Sequence, residues 1–268
     1  MNNLAIGVFD SGVGGLSCVK ELLCQLPGED IKYLGDTLRM PYGVKSIEEL
    51  HICANDNVNF LQRRGVKLIA AACGTVSSNV PKEHLDNLCV PFVDVIKPTV
   101  AAALAASRTK RIGIIATPAT IKANSMGKRL KELDSRCEVV GVACPDFVPL
   151  IESGHIDDEA IRTSAQGYLA QVKDFGVDTL ILGCTHYPLI AKVITEIMGS
   201  DVALIDSGRE TAREIKNALT ELNLLNPRQS GGSADFFVTN NTAAFDNVAK
   251  IFLGEDAGVE SVLKDIKE

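Results

Sequence analysis

The chain has no tryptophan, and aromatic residues make up only 5% of its 268 positions. A stacking platform for bases or sugar rings is therefore not expected. Runs of basic residues are also missing: the densest lie at 108–111 and 128–131, and the net charge is −7. Nucleic acid and membrane surface are accordingly excluded as partners. No apolar run approaches the roughly 20 residues that a membrane span needs. The opening "MNNLAIGVFDSG" enters a strand-like run at once, without a basic leader, so no signal peptide is expected. The cysteines at 18, 24, 53, 73, 89, 137, 144 and 184 include no CxxC pair, and the histidines at 51, 84, 155 and 186 do not join them at ligand spacing. Neither a metal site nor a disulfide framework is expected, which points to the reducing cytoplasm.

What is present is the pattern of a parallel α/β protein. Short apolar runs read as buried strands at Ile6–Phe9, Ile31–Leu34, Leu68–Ala72, Phe92–Val95, Ile112–Ala116, Val139–Val142, Thr179–Leu182 and Val202–Ile205. Between them, Leu16, Val19, Leu22, Leu23 and Leu26 share one helical face. Ser46 and Glu49 form a capping box that opens a helix to about Arg63, and helices are also expected over 160–172, 189–198 and 210–222. Strands alternating with helices predict parallel sheets.

The strands also repeat. "GVKLIAAAC" at 65–73 aligns with "GVDTLILGC" at 176–184, and "IGVFDSG" at 6–12 with "IGIIATP" at 112–118. "PFVDVIK" at 91–97 places Asp94 opposite Asp206 of "ALIDSGR". Three alignments in one order predict two pseudo-symmetric open parallel-sheet α/β domains of about four strands each. The expected division is 1–96 plus 208–268 for the first and 97–207 for the second. "ADFFVT", after the polar loop "NPRQSGGS" (226–233), and a final amphipathic stretch should pack back on the first. Ligands of such sheets sit beyond the carboxyl ends of the strands. Cys73 and Cys184 occupy equivalent strand ends and would meet one ligand from opposite sides of a cleft between the domains.

Two opposed acid/base groups suit cofactor-free inversion of an amino acid: one removes the α-proton and the other donates to the opposite face. A thiol near pKa 8.5 can be tuned for this by a helix N-terminus or a cation. Taken singly, each cysteine reads equally as a buried small hydrophobe. In "GCTHYP", Thr185 and His186 follow the second cysteine; His186 either assists the thiol or only starts a helix. In "FDSGVGG", Asp10 and Ser11 suit the ammonium and carboxylate of a zwitterion, or Asp10 merely caps the next helix. In "GDTLRMPYG", the backbone N–H groups of Tyr42 and Gly43 are candidates to hold a carboxylate, and Asp36 is either a charge partner or a loop residue. In "ATPAT", one of Thr117 and Thr120 caps a helix and the other faces the cleft.

With "DSGVGG", "GDT…PYG", "TPAT" and "LGCTHYP" in order, nearly the whole chain resembles the glutamate racemases of the cofactor-independent aspartate/glutamate racemase superfamily; the likeness fades after about residue 215. The resemblance implies that Cys73 is the base toward the D isomer and Cys184 the base toward the L isomer, each assisted by Asp10 or His186. It implies substrate contacts at Ser11, Tyr42, Gly43, Thr75, Thr117 and Thr185, joined here by Asp10, Gly74, Thr120 and His186, with Asp36 and Glu152 as auxiliary acidic groups. It further implies no cofactor, glutamate as substrate, and D-glutamate supplied for peptidoglycan. A homodimer is compatible with it. One position departs: the family usually reads Cys-Asn-Thr at the first cysteine, and this chain reads Cys73-Gly74-Thr75. Loss of the amide is expected to leave space that a water fills. It also keeps open a racemase of another acidic amino acid such as aspartate, or a non-catalytic amino-acid-binding relative.

Overall fold

Strands and helices alternate along the chain, and every strand pair is parallel. The computed structural model describes residues 2–254 and 258–267; Met1, residues 255–257 and Glu268, which the sequence-based division includes, lie outside the described residues. The strands are β1 (Ala5–Asp10), β2 (Ile31–Gly35), β3 (Val66–Ala71), β4 (Phe92–Asp94), β5 (Arg111–Ala116), β6 (Glu138–Ala143), β7 (Thr179–Leu182), β8 (Ala203–Asp206), β9 (Ala234–Val238) and β10 (Ser261–Leu263). They form a six-stranded sheet, β10-β9-β2-β1-β3-β4, and a four-stranded sheet, β6-β5-β7-β8. The segment β2-β1-β3-β4 repeats strand for strand as β6-β5-β7-β8, with β3 and β7, which precede the two cysteines, in the same place. β9, the "ADFFVT" run, pairs with β2 in the register Ile31↔Ala234 to Gly35↔Val238.

The helices are α1 (Leu16–Gln25), α2 (Ile47–Arg63), α3 (Gly74–Asn79), α4 (Ile96–Ala106), α5 (Pro118–Ala123), α6 (Ser125–Leu133), α7 (Phe147–Glu152), α8 (Glu159–Phe175), α9 (Ala191–Met198), α10 (Ser207–Glu221) and α11 (Thr242–Leu253). Helices cover both faces of each sheet, so β1 and β3 are buried throughout and read as continuous apolar runs rather than alternating ones. The Ser46–Glu49 capping box forms as read, with both reciprocal bonds present. The helix expected over 189–198 instead opens with a 3₁₀ turn at Tyr187–Ile190, Pro188 in its first turn, before α9 begins. No helix among the described residues is long and apolar enough to cross a membrane.

The chain passes between the two sheets at two equivalent points, and an aspartate marks each. Asp94 ends β4 and its carboxylate accepts the N–H groups of Ile96 (2.7 Å) and Lys97 (3.3 Å) at the start of α4. Asp206 ends β8 and accepts those of Gly208 (2.8 Å) and Arg209 (3.2 Å) at the start of α10. Helix α4 then buries Val100 and Ala103 with Ile112 and Ile205 of the second sheet. Helix α10 buries Ala212, Ile215 and Leu219 with Ile6 and Val8 of the first, and with Leu16 of α1. Each crossing helix leaves one sheet and packs against the other.

Candidate active site

Both cysteines lie where the parallel strands end and the backbone turns. Ala72 donates to the carbonyl of Phe9 (3.0 Å), which carries the end of β3 alongside β1. Cys73 is then the N-cap residue of α3, 5% exposed. Asp10, the last residue of β1, is 1% exposed, and its Oδ2 accepts the Gly15 N–H at 2.8 Å. Burial pushes the Cys73 thiol up, and the neighbouring Asp10 carboxylate pushes it further; the backbone N–H groups of Val76 and Thr75 pull the other way and do not prevail. This corrects the expectation that the helix start would lower the thiol. The Cys73 thiol is therefore held protonated at neutral pH.

Gly183 donates to the Ile115 carbonyl (2.8 Å), which sets Cys184 just beyond β7. The Cys184 Sγ lies 3.8 Å from His186 Nδ1, and His186 Nε2 lies 2.8 Å from Glu152 Oε1 at the end of α7. Burial alone would depress His186, but its contacts with Cys184 and Glu152 prevail and raise it to about 10. The ring is therefore an imidazolium at neutral pH. Phe252 covers it edge-on, with ring centres 5.6 Å apart. The two thiols thus have different neighbours: a carboxylate for Cys73, and an imidazolium–carboxylate pair for Cys184.

The hydroxyl groups meet across the seam between the halves. Thr75 Oγ1 lies 3.2 Å from Thr117 Oγ1, which lies 3.0 Å from Thr120 Oγ1. Thr117 also caps α5 by accepting the Thr120 N–H at 3.4 Å, so the residue that caps is also the one that bridges. Tyr42 and Gly43 open a 3₁₀ turn, Tyr42–Val44, whose first N–H groups have no acceptor within the turn. A Cβ on Gly43 would lie 3.6 Å from that of Thr117, which places this turn against the second half. Ser11 follows β1 and is half-buried. Thr185 is buried, and its hydroxyl faces Gly14 of the first half.

Asp36 and Gly74 are each met by groups from distant segments. Asp36 is fully buried, and both its oxygens are engaged: Oδ2 by Arg39 Nε (2.6 Å) and the Tyr42 hydroxyl, Oδ1 by the Thr239 hydroxyl (3.0 Å). It holds the Tyr42 turn in place. The Tyr42 phenol, which also accepts from Asn57 Nδ2 (3.1 Å), is consumed in the same network, leaving only the backbone of Tyr42 for a ligand. The space expected beside Gly74 is occupied by the carbonyl of Gly183. Sequence reasoning missed Arg39, Asn57 and Thr239; no local signal marks Thr239, which lies 203 residues from Asp36. Among the described residues no group of three or more His, Cys, Asp or Glu side chains is placed to hold a metal ion.

Residues 15–215 match the model of the Asp/Glu/hydantoin racemase family. Glutamate racemase from Geobacter metallireducens is 43% identical over 254 residues, covering 95% of this chain and 94% of that one. Among solved structures, glutamate racemase isoform RacE1 from Bacillus anthracis superposes with a TM-score of 0.94 at 34% identity, covering 100% of this chain and 99% of its own. Glutamate racemase from Francisella tularensis in complex with D-glutamate superposes with a TM-score of 0.89 at 35% identity, over 99% of each chain.

Proposed function

Because the chain belongs to the Asp/Glu/hydantoin racemase family, we propose that it interconverts L- and D-glutamate without a cofactor, through a thiol on each face of the substrate. The observation that carries this is the pair Cys73 and Cys184 at equivalent strand ends, each buried beside its own acid/base partner. Cys73 takes the α-proton of the D isomer while Asp10 accepts the proton of its thiol. Cys184 then gives its proton to the opposite face of the carbanion, and His186, held protonated by Glu152, stabilises the sulfur that results. In the other direction the roles exchange. The substrate ammonium, entering beside Asp10, offsets the carboxylate that keeps the empty Cys73 protonated.

The N–H groups of Tyr42 and Gly43, with the hydroxyls of Ser11, Thr75, Thr117, Thr120 and Thr185, supply the donors for the two substrate carboxylates. Residues 1–96 with 208–268, and 97–207, act as the two domains that part to admit glutamate. A cytoplasmic enzyme of this kind supplies D-glutamate for peptidoglycan. Leu38, Met40, Val44, Ile47 and Ile52, close together in sequence, are exposed apolar side chains, and a homodimer would cover such residues. The test is incubation of L-glutamate with the protein in D2O. Inversion with deuterium gain at Cα is expected, reduced about 10²- to 10⁴-fold in Cys73→Ala and Cys184→Ala. No exchange with either enantiomer would sink the proposal, and faster turnover of aspartate than glutamate would change its substrate.

A further inference from the structure

The second catalytic turn is gripped between two glycines of the opposite half. A Cβ on Gly74 would lie 2.6 Å from the Gly183 carbonyl oxygen, closer than real side chains come, and that oxygen belongs to backbone rather than to a mobile side chain. The backbone there has no slack: Gly183 donates to Ile115 at 2.8 Å, and a Cβ on Gly183 itself would meet Ala116 Cβ and the Ile115 carbonyl at 3.0 Å. On the other flank, a Cβ on Gly14 would fall 2.1 Å from Thr185 Oγ1 and 2.6 Å from the His186 ring. The Thr75–Thr117 hydroxyl contact at 3.2 Å crosses the same seam.

We propose that Gly74 is a positioning residue: its missing side chain lets the Cys73–Gly74 turn close onto the backbone of Gly183–Cys184, and this sets how near the two thiols approach each other. The consequence for turnover rests on the racemase reading; the closure itself does not. With the backbone of this chain, a Cβ at position 74 must shift one turn against the other. Both thiols then become more accessible together, although only one half carries the change. A side chain that merely touched the substrate would alter affinity and leave the alkylation rates without substrate as they were.

The experiment uses the full chain as wild type, Gly74→Ala and Gly74→Val, without substrate. Alkylation of Cys73 and Cys184 by iodoacetamide is followed by peptide mass spectrometry, and circular dichroism checks the fold. Both thiols, 5% and 7% exposed in the wild type, should react several-fold faster in Gly74→Ala and faster again in Gly74→Val. With glutamate, the change in turnover should fall on kcat more than on KM, the pattern of displaced reacting groups rather than a lost contact. Alkylation of both cysteines at the wild-type rate in folded Gly74→Ala would overturn the proposal. If Gly74→Val fails to fold, Gly74→Ala decides alone. If the wild type turns over no glutamate, the racemase reading fails while the alkylation rates still decide the closure.

Discussion

His186 and Glu152 form an imidazolium–carboxylate pair at 2.8 Å, and the pair stands directly behind the Cys184 thiol. On the proposed mechanism, its protonation would set the alkaline limit of the second thiol's chemistry. Glu152→Gln removes the counter-charge and leaves only the Cys184 contact to raise the ring, so His186 should titrate below the wild-type value of about 10. The alkaline limb of kcat/KM should move toward lower pH in this variant, as a pH–rate profile would read. The linkage to stability has a definite sign. A folded-state value raised above the ordinary 6.5 stabilises the fold fully below 6.5, progressively less as pH rises, and not at all above about 10. Urea unfolding of wild type and Glu152→Gln should therefore differ most in mild acid and converge in strong alkali.

The Tyr42 hydroxyl joins Asp36 to Asn57 in a buried network that holds the Tyr42–Val44 turn. Tyr42→Phe leaves Asp36 and Asn57 each one partner short and should cost about 1–3 kcal/mol of stability. Because only the backbone of this turn faces the cleft, KM for glutamate should rise while the pH dependence of kcat stays in place. Denaturant titration and steady-state kinetics at several pH values check both halves of this expectation. A shifted kcat profile would make the phenol itself part of the proton path.

Far from the cleft, Lys67 and Glu29 form a buried ion pair at 2.5 Å, their side chains 1% and 3% exposed. Lys67 also donates to the carbonyls of Asn2 and Leu224, both at 2.8 Å, and Glu29 accepts the Asn226 N–H at 2.7 Å. Lys67→Met strands a buried carboxylate and should destabilise by about 3–5 kcal/mol. Adding Glu29→Leu should recover part of that loss, since an apolar pair leaves no charge unpaired. Equilibrium unfolding of the single and double variants measures the coupling directly.

Asp94 and Asp206 cap the two helices that cross between the sheets. Asp94→Ala and Asp206→Ala should each cost about 1 kcal/mol by unfolding. Their effects should add, because the caps lie on separate helices and share no bonding partner.

Much of this molecule is legible in its sequence, and the reason is periodicity. Ile6–Phe9, Leu68–Ala72 and Ile112–Ala116 are apolar throughout because both faces of their sheets are covered, and such runs end where the backbone turns. The internal repeat places Cys73 and Cys184 in equivalent positions, and Asp94 opposite Asp206, before any contact is known. Short helices are less legible. Helices α3, α5 and α7 span six residues each, too few to display a face, and their positions follow from what they cap and cover.

Residue types and their order thus determine the parallel α/β architecture, the duplicated strand order and the identity of the two thiols, because these depend on local pattern and on repetition. The tertiary structure alone decides the state of those thiols. Burial beside Asp10 raises Cys73 despite the helix start, and Glu152, 34 residues before His186, keeps that ring charged. It alone assigns Asp36 to holding a turn, through a threonine 203 residues away. It alone fills the space beside Gly74 with a carbonyl from the other half. Each of these depends on desolvation or on contact between distant segments, and neither is written in the neighbouring residues.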